Sequence, residues 1–134
     1  MLYMLDTNIV SYLLEEDPHV IEAFDNVFLK NDICISNVVQ YEIQRGIYYR
    51  KSKKLQKQFD KFCRIIPVCQ ITDDDFDEAA KIYAYLRQEG KLIEDSDIFI
   101  GATALVNNAI IVTNNEEHLG RIRGLRIENW TNVE

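Results

Sequence analysis

The chain has little cysteine, proline or glycine and no long hydrophobic run. Its three cysteines, Cys34, Cys63 and Cys69, form no C-x-x-C pair and leave one over, which is typical of thiols in a reducing compartment and not of a disulfide framework. No apolar stretch approaches the roughly 20 residues of a membrane span, and Asp6 interrupts the apolar N-terminal run, which argues against a signal peptide. We therefore expect a cytoplasmic protein with no membrane-spanning segment.

The chain also lacks a glycine-rich turn after a strand, which a dinucleotide-binding domain requires. Its 134 residues, 47% of them hydrophobic, suit a single domain over residues 1–134. The formal net charge is −7. Because a phosphate backbone attracts positive surface, nucleic-acid binding would need a local basic patch or cations held by the acidic groups.

Short apolar segments alternate with helical patterns along the chain. Apolar runs without polar alternation are typical of strands that are covered on both faces. The predicted strands cover residues 2–5, 33–35, 65–71, 110–113 and 125–128. The alternation predicts an α/β fold in which helices cover both faces of a parallel sheet.

Acidic and amide side chains follow several of these strands. Asp6 ends the first strand, Glu42 lies in the helix after the second, and Asp97 begins the helix before the fourth. Asn115 and Glu116 follow the fourth strand. The carboxyl ends of parallel strands meet at one edge of the sheet, and a right-handed crossover would start the Asp97 helix at that same edge.

Clustered carboxylates indicate a bound cation. At about 4 Å and an effective dielectric near 20, each pair of carboxylates costs on the order of 4 kcal/mol, which protonation or a cation relieves. Oxygen ligands favour Mg²⁺ or Mn²⁺, and such a site predicts hydrolysis of a phosphodiester by metal-activated water. The histidines, His19 and His118, lie at no predicted strand tip, so this mechanism needs no histidine base.

Capping offers a simpler explanation for some of the acids. We expect Asp95 or Ser96 to cap the helix that contains Asp97. As an alternative to a metal ligand, Asp97 could be an ordinary first-turn carboxylate that the positive end of the helix dipole stabilises. The aspartate triplet that ends at Asp75 is explained by a capping box with Thr72, without a metal.

Basic residues concentrate in the predicted helix 50–64. They recur at 4-3-4-3 spacing at Arg50, Lys54, Lys57, Lys61 and Arg64. This stripe is either a solvated face or a track for a nucleic-acid backbone. Lys54, Lys57, Lys61 and Arg121 are the candidate nucleic-acid contacts.

At these residues the chain resembles the PIN-domain ribonucleases, specifically the toxin component of VapBC-type toxin–antitoxin pairs. The matching segments keep the family's order at residues 5–8, 39–43, 95–102, 112–115 and 124–130. The resemblance implies a three-layer α/β/α domain with a five-stranded parallel sheet, dependence on Mg²⁺ or Mn²⁺, and cleavage of RNA. It further implies a cognate antitoxin that obstructs the acidic pocket, and a homodimer.

The resemblance carries Asp6, Glu42 and Asp97 over as the acids of the metal site. Many PIN domains have a fourth acid after the fourth strand, where this chain has Asn115, with Glu116 as the alternative, so the number of metal ions is left open. We expect five neighbours to support the acids, namely Thr7, Asn8, Asp95, Asn115 and Glu116.

Three other classes of protein are the alternatives. A phospho-acceptor receiver domain would need an acidic pair after the first strand and an aspartate after the third, and the sequence has neither. A phosphatase with an aspartyl nucleophile would need an aspartate where Asn8 stands. A non-catalytic interaction module could use the same fold, because fold alone does not give function.

Overall fold

The structure is a computed structural model that describes residues 1–131; the last three residues of the predicted domain lie outside the described part. The strands are β1 (Leu2–Leu5), β2 (Asp32–Ser36), β3 (Val68–Cys69), β4 (Ile110–Val112) and β5 (Arg126–Glu128). The helices are α1 (Thr7–Leu14), α2 (Pro18–Phe28), α3 (Asn37–Arg50), α4 (Lys53–Ile65), α5 (Asp73–Gln88), α6 (Asp95–Val106) and α7 (Glu116–Leu119). Within residues 1–131, no helix combines the length and apolar character needed to cross a membrane.

The five strands form one parallel sheet in the order β3-β2-β1-β4-β5, which confirms the predicted fold class. Residue Met4 of β1 is in register with Cys34 of β2, and Leu5 is in register with Val112 of β4. The chain builds β2 and β3 on one side of β1 and then β4 and β5 on the other. The strand order therefore switches between β1 and β4, which is where open parallel sheets bind ligands.

Helix α4 begins at Lys53, three residues later than the start of the predicted helix 50–64. Lys51 adopts a left-handed conformation with φ of 54°, which ends α3, and the Ser52 hydroxyl then accepts a hydrogen bond from the Leu55 amide at 3.1 Å. At the other end α4 continues to Ile65, so the predicted strand 65–71 is reduced to Val68–Cys69. Pro67 has no N–H to donate, which limits strand pairing just before β3.

Two hydrophobic clusters hold the helices to the sheet. The larger joins β1 and β2 to α1, α3 and α4 through fully buried side chains such as Ile9, Val10 and Ile35. The smaller joins α5, α6 and α7, with Ile82 and Leu119 at its centre.

The helix starts at α5 and α6 differ from one another. At α5 the predicted capping box is confirmed: the Thr72 hydroxyl accepts from the Asp75 amide at 3.2 Å, and the Asp75 carboxylate accepts from the Thr72 amide at 3.0 Å. At α6 the predicted cap is wrong. Glu94 occupies the N-cap position without a side-chain hydrogen bond, because Asp95 already lies inside the first helical turn.

Candidate active site

Asp6 lies at the switch between β1 and β4 and is held by several hydrogen bonds. Its side chain is buried, with Oδ1 accepting from the Thr7 amide at 2.7 Å. Its Oδ2 accepts from Asn8 Nδ2 at 3.0 Å and from Thr113 Oγ1 at 2.7 Å. Burial raises the pKa of Asp6, and the negative charge of Glu42 raises it further, whereas the three hydrogen bonds act in the opposite direction by stabilising the ionised form.

Glu42 reaches the same edge of the sheet from the second turn of α3. Its Oε1 accepts a hydrogen bond from Thr7 Oγ1 at 2.6 Å, and its Oε2 lies 3.5 Å from Arg45 Nη2. Thr7 therefore contacts both carboxylates, through its backbone amide to Asp6 and through its hydroxyl to Glu42. This contact fixes α1 and α3 relative to each other at the site.

Asp97 lies in the first turn of α6 and completes the group of carboxylates. Burial raises the pKa of Asp97 to about 6, and the negative charges of Asp6 and Glu42 contribute in the same direction. The imidazole of His118 opposes this shift, with Nδ1 3.6 Å from Asp97 Oδ2. Three carboxylates from distant parts of the sequence therefore act electrostatically on one another.

The donor set fits a hard divalent cation. Within residues 1–131, no group of three or more His, Cys, Asp or Glu side chains is arranged as a ready-made metal-binding cluster. Magnesium is usually held by one or two carboxylates together with water and substrate phosphates, so a complete protein cage is not required. A bound cation would lower the raised pKa values of Asp6 and Asp97, because positive charge stabilises the ionised carboxylates.

Comparison with known proteins identifies the family. A model of the PIN domain matches residues 3–125, and ribonuclease VapC2 of Rickettsia felis is 33% identical over 97% of this chain and 98% of that protein. The chain belongs to the VapC ribonucleases of the PIN-domain family. Ribonuclease VapC2 of Haemophilus influenzae is likewise 33% identical, over 96% of this chain and 97% of its own length.

A solved structure gives the same relationship. This PIN domain matches the crystal structure of VapBC2 from Rickettsia felis bound to a DNA fragment from its promoter, with a TM-score of 0.89 and 30% sequence identity. The match covers 97% of this chain and 99% of the chain in that structure. The resemblance found in the sequence motifs is thereby confirmed at the level of family and fold.

The other acidic and amide candidates of this PIN domain occupy different positions. Asp95 is exposed and its side chain has no hydrogen bond or ion pair within residues 1–131. Glu116 accepts a hydrogen bond from Asn129 Nδ2 at 3.0 Å, which directs its carboxylate toward the end of β5. Asn115 lies closer to the site, because its Nδ2 is 3.1 Å from Nδ1 of His118, the neighbour of Asp97.

The basic candidates separate into two groups. Lys57 and Lys61 line a shallow groove of about 310 Å³ along the outer face of α4, and Lys54 is exposed on the same helix. Arg121 is engaged elsewhere: its guanidinium pairs with Glu117 at 3.3 Å and donates to the carbonyl oxygens of residues 91 and 92. Arg121 therefore ties α7 to the segment after α5.

Three residues at the site were not selected from the sequence. Thr113 is fully buried and donates to Asp6, His118 lies beside Asp97, and Arg45 pairs with Glu42. A polar residue directly after the apolar run 110–112 was a signal for Thr113. No comparable signal existed for His118, because its position depends on how the short helix α7 turns back toward α6.

Proposed function

We propose that this chain is a Mg²⁺- or Mn²⁺-dependent endoribonuclease and the toxin of a toxin–antitoxin pair, formed by a single PIN domain over residues 1–134. The observation that carries the proposal is the mutual electrostatic effect of Asp6, Glu42 and Asp97 at the strand-order switch of a VapC-family fold. A cytoplasmic location is supported by three free thiols, at Cys34, Cys63 and Cys69.

In this proposal Asp6, Glu42 and Asp97 hold the divalent cation. When bound, such an ion lowers the pKa of water and stabilises negative charge on a phosphodiester. The chain's own contribution is orientation: hydrogen bonds from Thr7, Asn8 and Thr113 orient the Asp6 carboxylate and oppose the rise in its pKa that burial causes.

His118 and Arg45 have distinct proposed tasks. His118 keeps Asp97 ionised and oriented, with Asn115 contacting the same imidazole nitrogen. The Arg45 side chain is 59% exposed and stacks over Tyr41 with its guanidinium 5.2 Å from the ring centre, so it can also contact a phosphate of the RNA.

The proposed protein partners are an antitoxin and a second copy of the chain. The solved relative is a VapBC complex, and negative charge at the site would attract a basic side chain of an antitoxin. The homodimer is supported by aromatic side chains beside Glu42, where the exposed Tyr41 and Phe76 and the partly buried Phe99 line a cavity of about 440 Å³. Light scattering of the purified protein should give the mass of two chains, and a monomer at all concentrations would contradict the homodimer.

The decisive test compares RNA fragments produced by the wild type and by Asp97→Asn. Sequencing the ends of cellular RNA after induction should yield discrete new ends with the wild type and none with Asp97→Asn. Purified wild type should lose cleavage when EDTA is added and regain it when Mg²⁺ or Mn²⁺ is restored. Cleavage that persists in EDTA would contradict the metal-dependent proposal.

The outer face of α4 is the proposed contact for the RNA backbone. Replacing both Lys54 and Lys57 by glutamate should weaken RNA binding and reduce its salt dependence, because fewer counterions are released. Lys81→Glu on exposed α5 is the matched charge reversal and should leave the salt dependence unchanged. If the RNA affinity of the double variant and that of the wild type depend on salt concentration to the same degree, the outer face of α4 does not contact the RNA and is only solvated.

A further inference from the structure

A small cleft between α1 and α3 opens directly beside Glu42. Its walls are apolar, formed by Leu14 of α1 and by Ile43 and Ile47 of α3. Gly46 also lines the cleft, and a Cβ atom added there would meet no heavy atom within 4 Å, so this position faces open space. The cavity measures about 200 Å³, below the roughly 300–1,000 Å³ that hold a drug-sized ligand, which limits its occupant to one ring system.

The cleft also carries polar groups. Glu15 at the end of α1 and Arg50 at the end of α3 both line it, and Ser11 adds a hydroxyl. The side chains of Glu15 and Arg50 are exposed and form no hydrogen bond or ion pair within residues 1–131. The cleft therefore has a negatively charged hydrogen-bond acceptor, Glu15, and a positively charged donor, Arg50, beside its apolar slot.

We propose that this cleft binds a guanine base of the RNA, next to the cleaved bond, and that Glu15 and Arg50 determine this specificity; the inference rests on the proposed ribonuclease function. Apolar side chains on two sides suit the flat faces of a base that has been splayed out of the strand. The cleft begins at Glu42, so a base bound there belongs to a nucleotide adjoining the reacting phosphodiester.

The charges favour guanine among the four bases. The guanine edge carries two neighbouring donors, N1–H and the N2 amino group, which match the two oxygens of the Glu15 carboxylate. Guanine O6 and N7 are acceptors that match the guanidinium of Arg50. Adenine would place its N1 acceptor against the carboxylate, and the negative charge of Glu15 also disfavours a phosphate at that position.

The test uses variants that change either the shape or the polar groups of the cleft. Gly46→Leu places a branched side chain in the slot at a position where a Cβ atom would meet no heavy atom within 4 Å, and Gly46→Ala fills the slot less. Glu15→Gln and Arg50→Gln alter base recognition alone. Glu22→Gln, on the exposed face of α2 and outside the cleft, is the matched control for loss of a carboxylate.

The first measurement is cleavage of a mixed-sequence pool of oligoribonucleotides in Mg²⁺, followed by sequencing of the ends. The wild type should enrich guanine at one position adjoining the cleaved bond. Glu15→Gln and Arg50→Gln should each reduce that preference about 5- to 100-fold, the range for one bidentate base contact. Gly46→Leu should lower kcat/KM for guanine-containing substrates about tenfold or more, Gly46→Ala should lower it less, and Glu22→Gln should match the wild type.

The second measurement does not depend on catalysis. Guanosine or adenosine is added to the protein without metal, and binding is monitored by the NMR chemical shifts of residues in α1 and α3. Guanosine should shift signals of the cleft, and Gly46→Leu should abolish those shifts. Guanosine binding without any RNA cleavage would refute the ribonuclease and leave the base site standing. Cleavage with the wild-type pattern in Gly46→Leu, Glu15→Gln and Arg50→Gln would overturn the base site, and is the result expected if a protein segment occupies the cleft instead.

Discussion

Aspartates occupy the first turns of both α5 and α6, but the two groups have different neighbours. At α5, Asp75 forms a reciprocal capping box with Thr72, so its carboxylate satisfies the backbone of its own helix. At α6, Asp97 caps nothing and lies near Asp6 and Glu42, whose charges help to raise its pKa to about 6. The contrast shows that a carboxylate at a helix start becomes a candidate for chemistry when its neighbours come from other strands.

The strongest test of this contrast is loss of each carboxylate in turn. Asp6→Asn, Glu42→Gln and Asp97→Asn should each lower RNA cleavage in Mg²⁺ by more than about 100-fold, since changes in merely supporting residues already cost about 10- to 100-fold. Asp73→Asn, at the start of α5, should stay within about twofold of the wild type. Circular dichroism spectra checked in parallel should match for all four variants, and an equal loss with Asp73→Asn would remove the distinction.

Supporting residues provide the next test. Thr113→Val deletes one hydrogen bond to Asp6, and His118→Gln removes the imidazole beside Asp97, so each should reduce cleavage about 10- to 100-fold. Asp95→Asn should cost less, because the exposed Asp95 side chain forms no hydrogen bond or ion pair within residues 1–131. Steady-state kinetics at several Mg²⁺ concentrations measure the effect. A loss with Asp95→Asn as large as that with Asp97→Asn would reassign Asp95 to the metal site.

The sheet could be predicted from the sequence because β1, the centre of β2 and β4 are short apolar runs that each end at a polar residue, whereas β5 has a single apolar residue, Ile127. Strand positions were accurate where the run was short, as in β1, and wrong for 65–71, where the end of α4 has the same composition as a strand. The position of the N-cap at Glu94 could not be predicted, because the next two residues, Asp95 and Ser96, are of the types that N-cap positions prefer.

The candidate site was only partly accessible from the sequence. Parallel topology placed Asp6, Glu42 and Asp97 near one edge of the sheet, and the resemblance to the PIN-domain ribonucleases assigned them as the acids of the metal site. The role of His118 depends on tertiary packing of α7 against α6, which no local pattern encodes. The diversion of Glu116 toward Asn129 likewise follows from the path of the chain after β5.

The raised pKa of Asp97 predicts a pH-dependent difference in stability without metal. Its pKa rises from an ordinary 3.8 to about 6, so the folded state binds more protons than the unfolded state between these values. The free energy of unfolding should therefore fall as the pH rises from about 4 to about 6. The Asp97→Asn variant lacks the ionisable group and should not show this fall in stability. In EDTA at about pH 7 the variant should be about 1–2 kcal/mol more stable than the wild type.

Urea denaturation at several pH values measures that difference, which should shrink toward about pH 3, where the Asp97 carboxyl of the wild type is mostly protonated in both the folded and the unfolded state. Saturating Mg²⁺ should stabilise the wild type and not the variant. A wild type that is more stable than Asp97→Asn in EDTA at neutral pH would contradict the expected cost of ionising Asp97, which comes first from its burial and then from the neighbouring carboxylates.

The smallest expected effect concerns the capping box. Thr72→Ala should lower the free energy of unfolding by about 1 kcal/mol, because an amide of the first turn of α5 loses its partner. Thr72→Ser keeps the hydroxyl and should retain most of the stability. RNA cleavage per folded molecule should be the same for both variants. Reduced cleavage by folded Thr72→Ala would link α5 to the site and weaken the contrast between the two helix starts.

The bond from Thr113 to Asp6 spans 107 positions of the sequence and joins the two strands at the middle of the sheet. During synthesis, a chain on the ribosome exposes Asp6 and Glu42 long before β4 emerges. Until then Asp6 lacks one of its partners and β1 has a neighbour on one side only. A growing polypeptide therefore completes the set of hydrogen bonds around Asp6 only after β4 and Thr113 have been made.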